Sequence, residues 1–429
     1  MMGQDIYSQA TWYEATAQRG AFKSLTGQSQ FEVCVIGGGL AGLTTALELA
    51  RKGRRVALVE ARLVGMGASG RNGGFVFNGF ALEMGDVVRH VGVDAAHKLY
   101  DLSKMGTEYV RQEIAASDPG IKMGDGLLVT VRYDDGGGLQ SHGESMARDY
   151  GEDVEYLATG ETRRRLSSSR YHGALYFPRA FHIHSLRYCL LLKEQILAAG
   201  GHVFEHSQVL GVEKVGSSFI VKCAAGSIKA AHVVHCVSSL GRNIHRPSEQ
   251  AVLPVATYIG VTEPLAQQAI NTPCAVADTR RAGDYYRLID GGRILWGGRI
   301  TTKVSAPARL AEKMKGVMLS TYPQLGMPKM DYAWAGLMGY ALHKMPLIGR
   351  DNEGQWFGTA FGGHGLNTTA MAGILLARAI ADGDDSYRQF APFAPDWAYG
   401  QLGRLGVQGA YWWMQARDKW DESRRKPRQ

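Results

Sequence analysis

Apolar residues run nearly unbroken through Phe31-Glu32-Val33-Cys34-Val35-Ile36, stop at Gly37-Gly38-Gly39-Leu40-Ala41-Gly42, and resume at helical spacing as far as Lys52-Gly53. A second run, Val56-Ala57-Leu58-Val59, ends on Glu60. This pattern predicts a buried strand, a glycine turn, a helix and a second buried strand. Residues 82–116 carry apolar positions at helical spacing and predict one or two helices ending at Asp118-Pro119-Gly120. Strands are expected at 126–131, 173–177, 202–204, 209–215, 219–223 and 232–237, and helices at 139–150, 161–166 and 186–199. From residue 251 the character changes. Strands at 255–261, 275–277, 285–290 and 293–297, with Asp290-Gly291-Gly292-Arg293 as a hairpin turn, predict an antiparallel sheet. A helix at 306–322 follows. A strand at 356–360, a second glycine turn (Phe361-Gly362-Gly363-His364-Gly365-Leu366-Asn367) and a helix at 368–381 then repeat the opening order.

The first unit has the parts of a dinucleotide site in the required order. Gly37 permits the tight turn, Gly39 lets a pyrophosphate approach the backbone, and Gly42 lets the helix pack close to the strand. Leu40 and Ala41 open a helix whose N-terminus offers N–H groups and a positive dipole end. Glu60, 21 residues after Gly39, can accept both ribose hydroxyls and would repel a 2′-phosphate. Ala61 and Arg62 follow it. The stretch Gly67-Ala68-Ser69-Gly70-Arg71-Asn72-Gly73-Gly74 is rich in small residues and is expected to form a second wall of the cofactor site. The later turn predicts another backbone-lined ligand contact.

At 429 residues the chain exceeds one small core, so two domains, or one with insertions, are expected. With 45% apolar and 21% charged residues it is an ordinary globular composition. The net charge of +8 comes from scattered basic residues and does not point to nucleic acid. The run Arg163-Arg164-Arg165 reads as a solvated helix face. Five cysteines with no CxxC pair indicate neither a disulfide framework nor a zinc site, and a reducing cytoplasm is the simplest home. His182 and His184 share one face of an extended segment, but no acid or cysteine accompanies them in sequence. A hydrogen-bonding role is expected and no metal. The N-terminus has no apolar leader-like run. Residues 354–377, the longest stretch without a charge, are broken by six glycines, so no membrane span is expected. Residues 1–30 read as a polar arm before the first strand, whose Trp12-Tyr13 can dock on the body. The aromatic tail, with Tyr411, Trp412, Trp413 and Trp420 before Arg424-Arg425-Lys426, predicts a packing or dimer helix, with a membrane-surface helix as the alternative.

Taken together, several stretches resemble the FAD-dependent amine and amino-acid oxidoreductases of the D-amino-acid oxidase and glycine oxidase superfamily, in particular its gamma-glutamylputrescine-oxidising branch. They are Val35-Ile36-Gly37-Gly38-Gly39, the 67–74 stretch, Tyr171-His172-Gly173-Ala174-Leu175, His182-Ile183-His184, Asp284-Tyr285-Tyr286-Arg287-Leu288, Met345-Pro346-Leu347-Ile348-Gly349-Arg350 and Gly363-His364-Gly365. The resemblance implies an α/β FAD-binding domain of Rossmann type, as in glutathione reductase, from residues 31–80, 170–240 and 335–385. An interleaved α+β substrate domain with an antiparallel sheet would use 81–169 and 241–334, and 386–429 would be a helical tail. FAD would lie on Gly37, Gly39, Leu40, Ala41, Gly42, Glu60, Ala61, Arg62, Gly67, Ala68, Ser69, Arg71, Asn72, Gly73, Gly74 and Val209. Its flavin end would meet Gly363, His364, Gly365, Leu366 and Asn367.

The implied reaction is oxidation of an amine C–N bond by hydride transfer to flavin N5, giving an imine that hydrolyses to an aldehyde or keto acid. The implied substrate is a gamma-glutamylated or free polyamine-type amine. A secondary or D-amino acid such as sarcosine or pipecolate is the alternative, and a non-catalytic flavin-binding subunit is another. Tyr286, Arg287 and His364 are the candidate catalytic residues. Tyr258, Tyr285 and Trp296 are further candidates for an aromatic lining, although strand alternation forbids Tyr285 and Tyr286 from both facing the flavin. Arg71 or Arg287 could grip a substrate carboxylate. The strand Ile294-Leu295-Trp296-Gly297 lacks the lysine that sarcosine-oxidase relatives place over the flavin, so O2 and a quinone or carrier protein both remain as acceptor. No cysteine lies within 337–346, and FAD is expected to be non-covalent. The oligomeric state is open.

Overall fold

A computed structural model describes residues 6–241, 243–266, 270–281 and 283–424. In the first of two sheets, Gly27–Ile36 pairs in parallel with Val56–Val59 on one side and with Gly226–His235 on the other. His202–Phe204 extends one edge, and Trp356–Thr359 with Leu347–Arg350 extends the other. The apolar runs are continuous because both faces are covered. Val33, Val35, Val56 and Leu58 meet residues of the helices Leu40–Arg51 and Gly365–Asp382. Cys34, Ile36, Ala57 and Val59 meet the hairpin Val209–Val215 with Ser218–Cys223.

The second sheet runs Met330–Tyr340, Leu253–Thr262, Arg293–Thr301, Tyr285–Ile289, Ala275–Asp278, Lys122–Val131, Gly173–Ile183, Phe75–Val76. It is antiparallel except where Ala275–Asp278 pairs with Lys122–Val131. One face carries Tyr258, Val276, Tyr286 and Trp296 into a core closed by Met314 and Met318 of the helix Leu310–Leu319. The opposite face carries Leu295, Trp334 and Ile259, then Leu127, Ala275 and Phe177.

This sheet moves two expected boundaries. Gly173–Ile183 and Met330–Tyr340 belong to the second sheet, so 170–183 and 335–340 leave the expected FAD-binding segments. The strand expected at 173–177 continues to Ile183. Pro178 falls where the register shifts between the Leu127–Phe177 and Asp125–Phe181 pairs, and a bulge accommodates it.

The N-terminal arm packs on the body within its described residues. Trp12 and Tyr13 lie on the short helix Trp12–Thr16 and are buried. The C-terminal helix Gly400–Arg424 docks through Gln408 on Thr301 and Thr302 and through Asp418 on Arg281. Its other side leaves Leu402, Leu405, Trp412, Trp413 and Trp420 exposed. Arg425 and Lys426 lie outside the described residues. Among the described residues no helix is long and apolar enough to cross a membrane.

Candidate flavin site

The glycine turn is built by close backbone approaches. Gly37 has φ +112°, and a Cβ there would lie 2.6 Å from the Cys236 carbonyl oxygen. A Cβ on Gly42 would lie 2.0 Å from the Gly37 oxygen, so helix and strand meet only without a side chain. Gly39 faces the Ser69 hydroxyl, 3.0 Å from a would-be Cβ. The Leu40 N–H donates to that hydroxyl at 3.0 Å, at the helix end suited to an anion. Glu60 accepts from the N–H of Gly38 at 2.7 Å and of Arg62 at 2.8 Å. Burial raises its pKa, and these N–H donors oppose the rise. Gly38 was absent from the expected contacts. Its position inside the glycine run was a signal, and its partner was not. Ala61 and Arg62 are exposed, with the Arg62 guanidinium 5.3 Å from the Tyr7 ring. Val209 sits in the apolar cluster beside Val59 and Phe204.

The 67–74 stretch is a rigid turn around the short helix Ala68–Gly70. Asn72 staples it. Its amide donates to the Ala68 and Ser69 carbonyls and its Oδ1 accepts from the Gly74 N–H and the Ser185 hydroxyl. Gly73 makes room for the Tyr285 ring, 2.7 Å from where a Cβ would stand. Gly74 has φ +84° and lies against the Ile183 carbonyl. Gly67 is half-buried and precedes the turn. Arg71 is buried. Its guanidinium donates to the Tyr7 and Gln9 carbonyls and lies 3.6 Å from Glu14, while its own carbonyl accepts from the Trp334 indole.

At the other end, His364 precedes the helix Gly365–Asp382 without capping it, so the first-turn N–H groups of Gly365, Leu366 and Asn367 have no side-chain cap. The Asn367 amide donates to the Gly79 and Ser103 carbonyls, so its side chain holds the helix rather than facing a ligand. His364 Nε2 donates to the Phe77 carbonyl and its ring packs on Phe77 with centroids 4.1 Å apart. Burial lowers its pKa to about 4, so the imidazole is neutral at pH 7. The Gly363 N–H donates to the Tyr340 hydroxyl, and burial pushes that phenol up to about 12.

Two expected catalytic residues are placed elsewhere. Tyr286 points into the far core, stacked on Trp296 at 4.2 Å and bonded to the Tyr171 and Tyr322 hydroxyls. This corrects its assignment as a catalytic residue, and Tyr258 and Trp296 share that far face. Arg287 is fully buried and spent within the protein. It donates to the Tyr13 hydroxyl at 2.9 Å, the Ile183 carbonyl at 2.8 Å and His182 Nδ1 at 2.7 Å. Its expected role in contacting substrate is corrected to that of a tie. Tyr285, one residue earlier, takes the inner face, between Gly73 and Gly297, with its hydroxyl bonded to Thr257. His182 Nε2 faces the Pro273 carbonyl, His184 Nε2 faces the Thr16 hydroxyl, and His184 Nδ1 accepts from the Arg187 N–H. Each ring nitrogen of both histidines therefore meets a protein partner.

A glycine turn closed by the acid Glu60, a small-residue loop against it and an uncapped helix N-terminus fit the pyrophosphate, ribose and flavin ends of FAD. Fold and site together define an FAD-dependent oxidoreductase. The family model described as FAD dependent oxidoreductase matches residues 32–379. The chain belongs to that family of FAD-dependent oxidoreductases. It is 31% identical to the gamma-glutamylputrescine oxidoreductase of Escherichia coli, over 89% of this chain and 91% of that one. It is also 31% identical to the probable oxidoreductase OrdL of Haemophilus influenzae, over 91% and 92%. Among solved structures it resembles glycine oxidase from Geobacillus kaustophilus, with a TM-score of 0.73 at 18% identity, over 86% of this chain and 98% of that chain.

Proposed function

We propose that this enzyme oxidises the terminal amine of a gamma-glutamylated or free polyamine-type substrate, with non-covalent FAD. One observation carries the proposal: Arg71 and Arg287, the two arginines available to grip a carboxylate next to the reacting carbon, are both buried and bonded to protein groups. The inner face near them is instead formed by Tyr285, Phe75, Phe77 and Phe177. Such a surface takes methylene groups and disfavours an α-amino acid, whose carboxylate would be desolvated without a partner. The relative from Escherichia coli, named for gamma-glutamylputrescine, adds support at 31% identity.

When bound, FAD supplies the hydride acceptor. The residues of the chain supply position and charge. The uncapped N-terminus at Gly365–Asn367 aims donors and a dipole end at one edge of the site, suited to negative charge that develops there. Neutral His364 holds Phe77 in place and adds no competing charge. The aromatic inner face lowers the pKa of an amine by desolvation, which readies it without a strong base. The strand Arg293–Thr301 turns Leu295 and Gly297 inward and offers no lysine to that face. The five unpaired cysteines, four of them buried, suit a reducing compartment.

The test is anaerobic mixing of the yellow protein with gamma-glutamylputrescine, putrescine, sarcosine, pipecolate and D-alanine. Bleaching by the first two and not by the amino acids is expected. Bleaching by sarcosine or D-alanine alone overturns the proposal, and bleaching by no amine favours a non-catalytic flavin subunit. Peroxide release in air identifies O2 as acceptor, and its absence points to a quinone or carrier protein.

A further inference from the structure

A cavity of about 550 Å³ opens between the helix Val93–Ser117 and the middle of the strand Gly173–Ile183, at Phe177, Arg179 and Ala180. Its floor is apolar, with Phe77, Tyr100, Met105 and Phe177. Phe77 and Phe177 also belong to the apolar patch on the inner face of the second sheet, together with Phe75. Phe75 meets the Tyr285 ring edge-on at 5.7 Å, and Phe77 packs on His364. An apolar path thus joins this cavity to the residues that flank the flavin end.

The rim is charged, and most of its charges are already used. Lys104 binds the Tyr150 carbonyl and Asp101. Arg111 binds Glu108 and the Arg179 carbonyl. Glu152 accepts from Asn78. The Arg179 guanidinium and the Asp153 carboxylate line the same cavity and have no ion-pair partner among the described residues. One cation and one anion at the mouth of an apolar path complement a zwitterion at the far end of a linear apolar chain.

We propose that this cavity is the distal subsite of the enzyme, and that it takes the α-ammonium and α-carboxylate of a substrate whose other end carries the reacting amine. Arg179 receives the carboxylate and Asp153 the ammonium, while the methylene chain lies along Phe77 and Phe177. The proposal rests on the amine-oxidising function above and deepens it. It separates a gamma-glutamylated amine from a free diamine, which has no zwitterion to place there.

The test measures anaerobic flavin reduction of the holoenzyme by gamma-glutamylputrescine and by putrescine, each giving a limiting rate and an apparent Kd. The readout is the ratio of the two efficiencies. Arg179→Gln and Asp153→Asn are each expected to lower that ratio about tenfold, through the Kd of gamma-glutamylputrescine. Lys313→Gln, an exposed charge on the helix Leu310–Leu319, controls for general electrostatic attraction. Wild-type bleaching by gamma-glutamylputrescine with an unchanged ratio in both variants overturns the subsite and leaves the amine function standing. Failure of the wild type to be bleached by gamma-glutamylputrescine overturns both.

Discussion

Gly297→Ala places a methyl group against the Tyr285 ring, which lies between Gly73 and Gly297. Its Cβ would stand 2.0 Å from Cε2 and Cζ of Tyr285 and 2.5 Å from its hydroxyl. Carbon atoms rest at about 3.5–4.0 Å, so the ring must move by more than 1 Å. It cannot retreat toward the 67–74 turn, because there the Gly73 Cβ position is already only 2.7 Å from the same ring. Overpacking of this kind costs about 1–3 kcal/mol. Loss of the bond between the Tyr285 hydroxyl and Thr257 adds about 0.5–1.5 kcal/mol. If Tyr285 lines the reacting face, a total of about 1.5–4.5 kcal/mol appears in the barrier as a roughly 10- to 2,000-fold slower flavin reduction. Stopped-flow bleaching under anaerobic conditions measures it, with the flavin spectrum as a check on cofactor content. In a Tyr285→Ala background the same change should cost little, because the ring it strikes is gone. A limiting rate within threefold of wild type, with the flavin bound, would refute the placement of Tyr285 at the reacting face.

Other consequences follow from buried charge and buried imidazole. Glu60→Gln keeps an acceptor for the Gly38 N–H but removes the charge offered to a ribose, so FAD should bind about 10- to 100-fold more weakly in a fluorescence titration of the apoprotein. Because burial raises the Glu60 pKa in the folded state, the stability of the apoprotein should fall as pH rises through its titration, read as a falling melting temperature. Lys193→Met strips the partner from buried Glu205 and should destabilise by about 3–5 kcal/mol in urea, while Glu205→Gln, which still accepts from Val64, should cost less. Tyr13→Phe removes the hydroxyl that accepts from Arg287 and donates to the Asn72 carbonyl. It should cost about 1–3 kcal/mol in the same assay. His182, His184 and His235 are pushed down to about 3 and His364 to about 4, all by burial. They stay neutral when folded and take up protons when unfolded. Their contribution is therefore complete above pH 6.5 and is lost as pH falls, by about 1 kcal/mol each between pH 6.5 and 5.5. A melting temperature that does not fall over that range would contradict their burial.

The glycine turn, its helix and Glu60 were legible in the sequence because every part lies within one stretch of about 30 residues, the length of one βαβ unit. The alternation in the strand around 285 was legible too, and it required that Tyr285 and Tyr286 face opposite ways. Which of them faced inward depended on what covered each side of the sheet. The helix Leu310–Leu319 claims the side of Tyr286, and Gly73 with Gly297 makes room for Tyr285.

Arg287 marks the limit most clearly. The sequence offered it as a carboxylate clamp, and nothing near it in the chain said otherwise. Its partners, Tyr13 and His182, stand 274 and 105 residues away. Arg71 is held in the same way by the arm at Tyr7 and Gln9, in a segment that reads as a polar lead-in. Local pattern therefore determined which backbone could cradle a dinucleotide, since glycine spacing and strand burial are short-range properties. Which side chains remained available to a substrate was decided only by tertiary structure, because a charged group is free or spent according to partners that folding alone brings within about 3 Å.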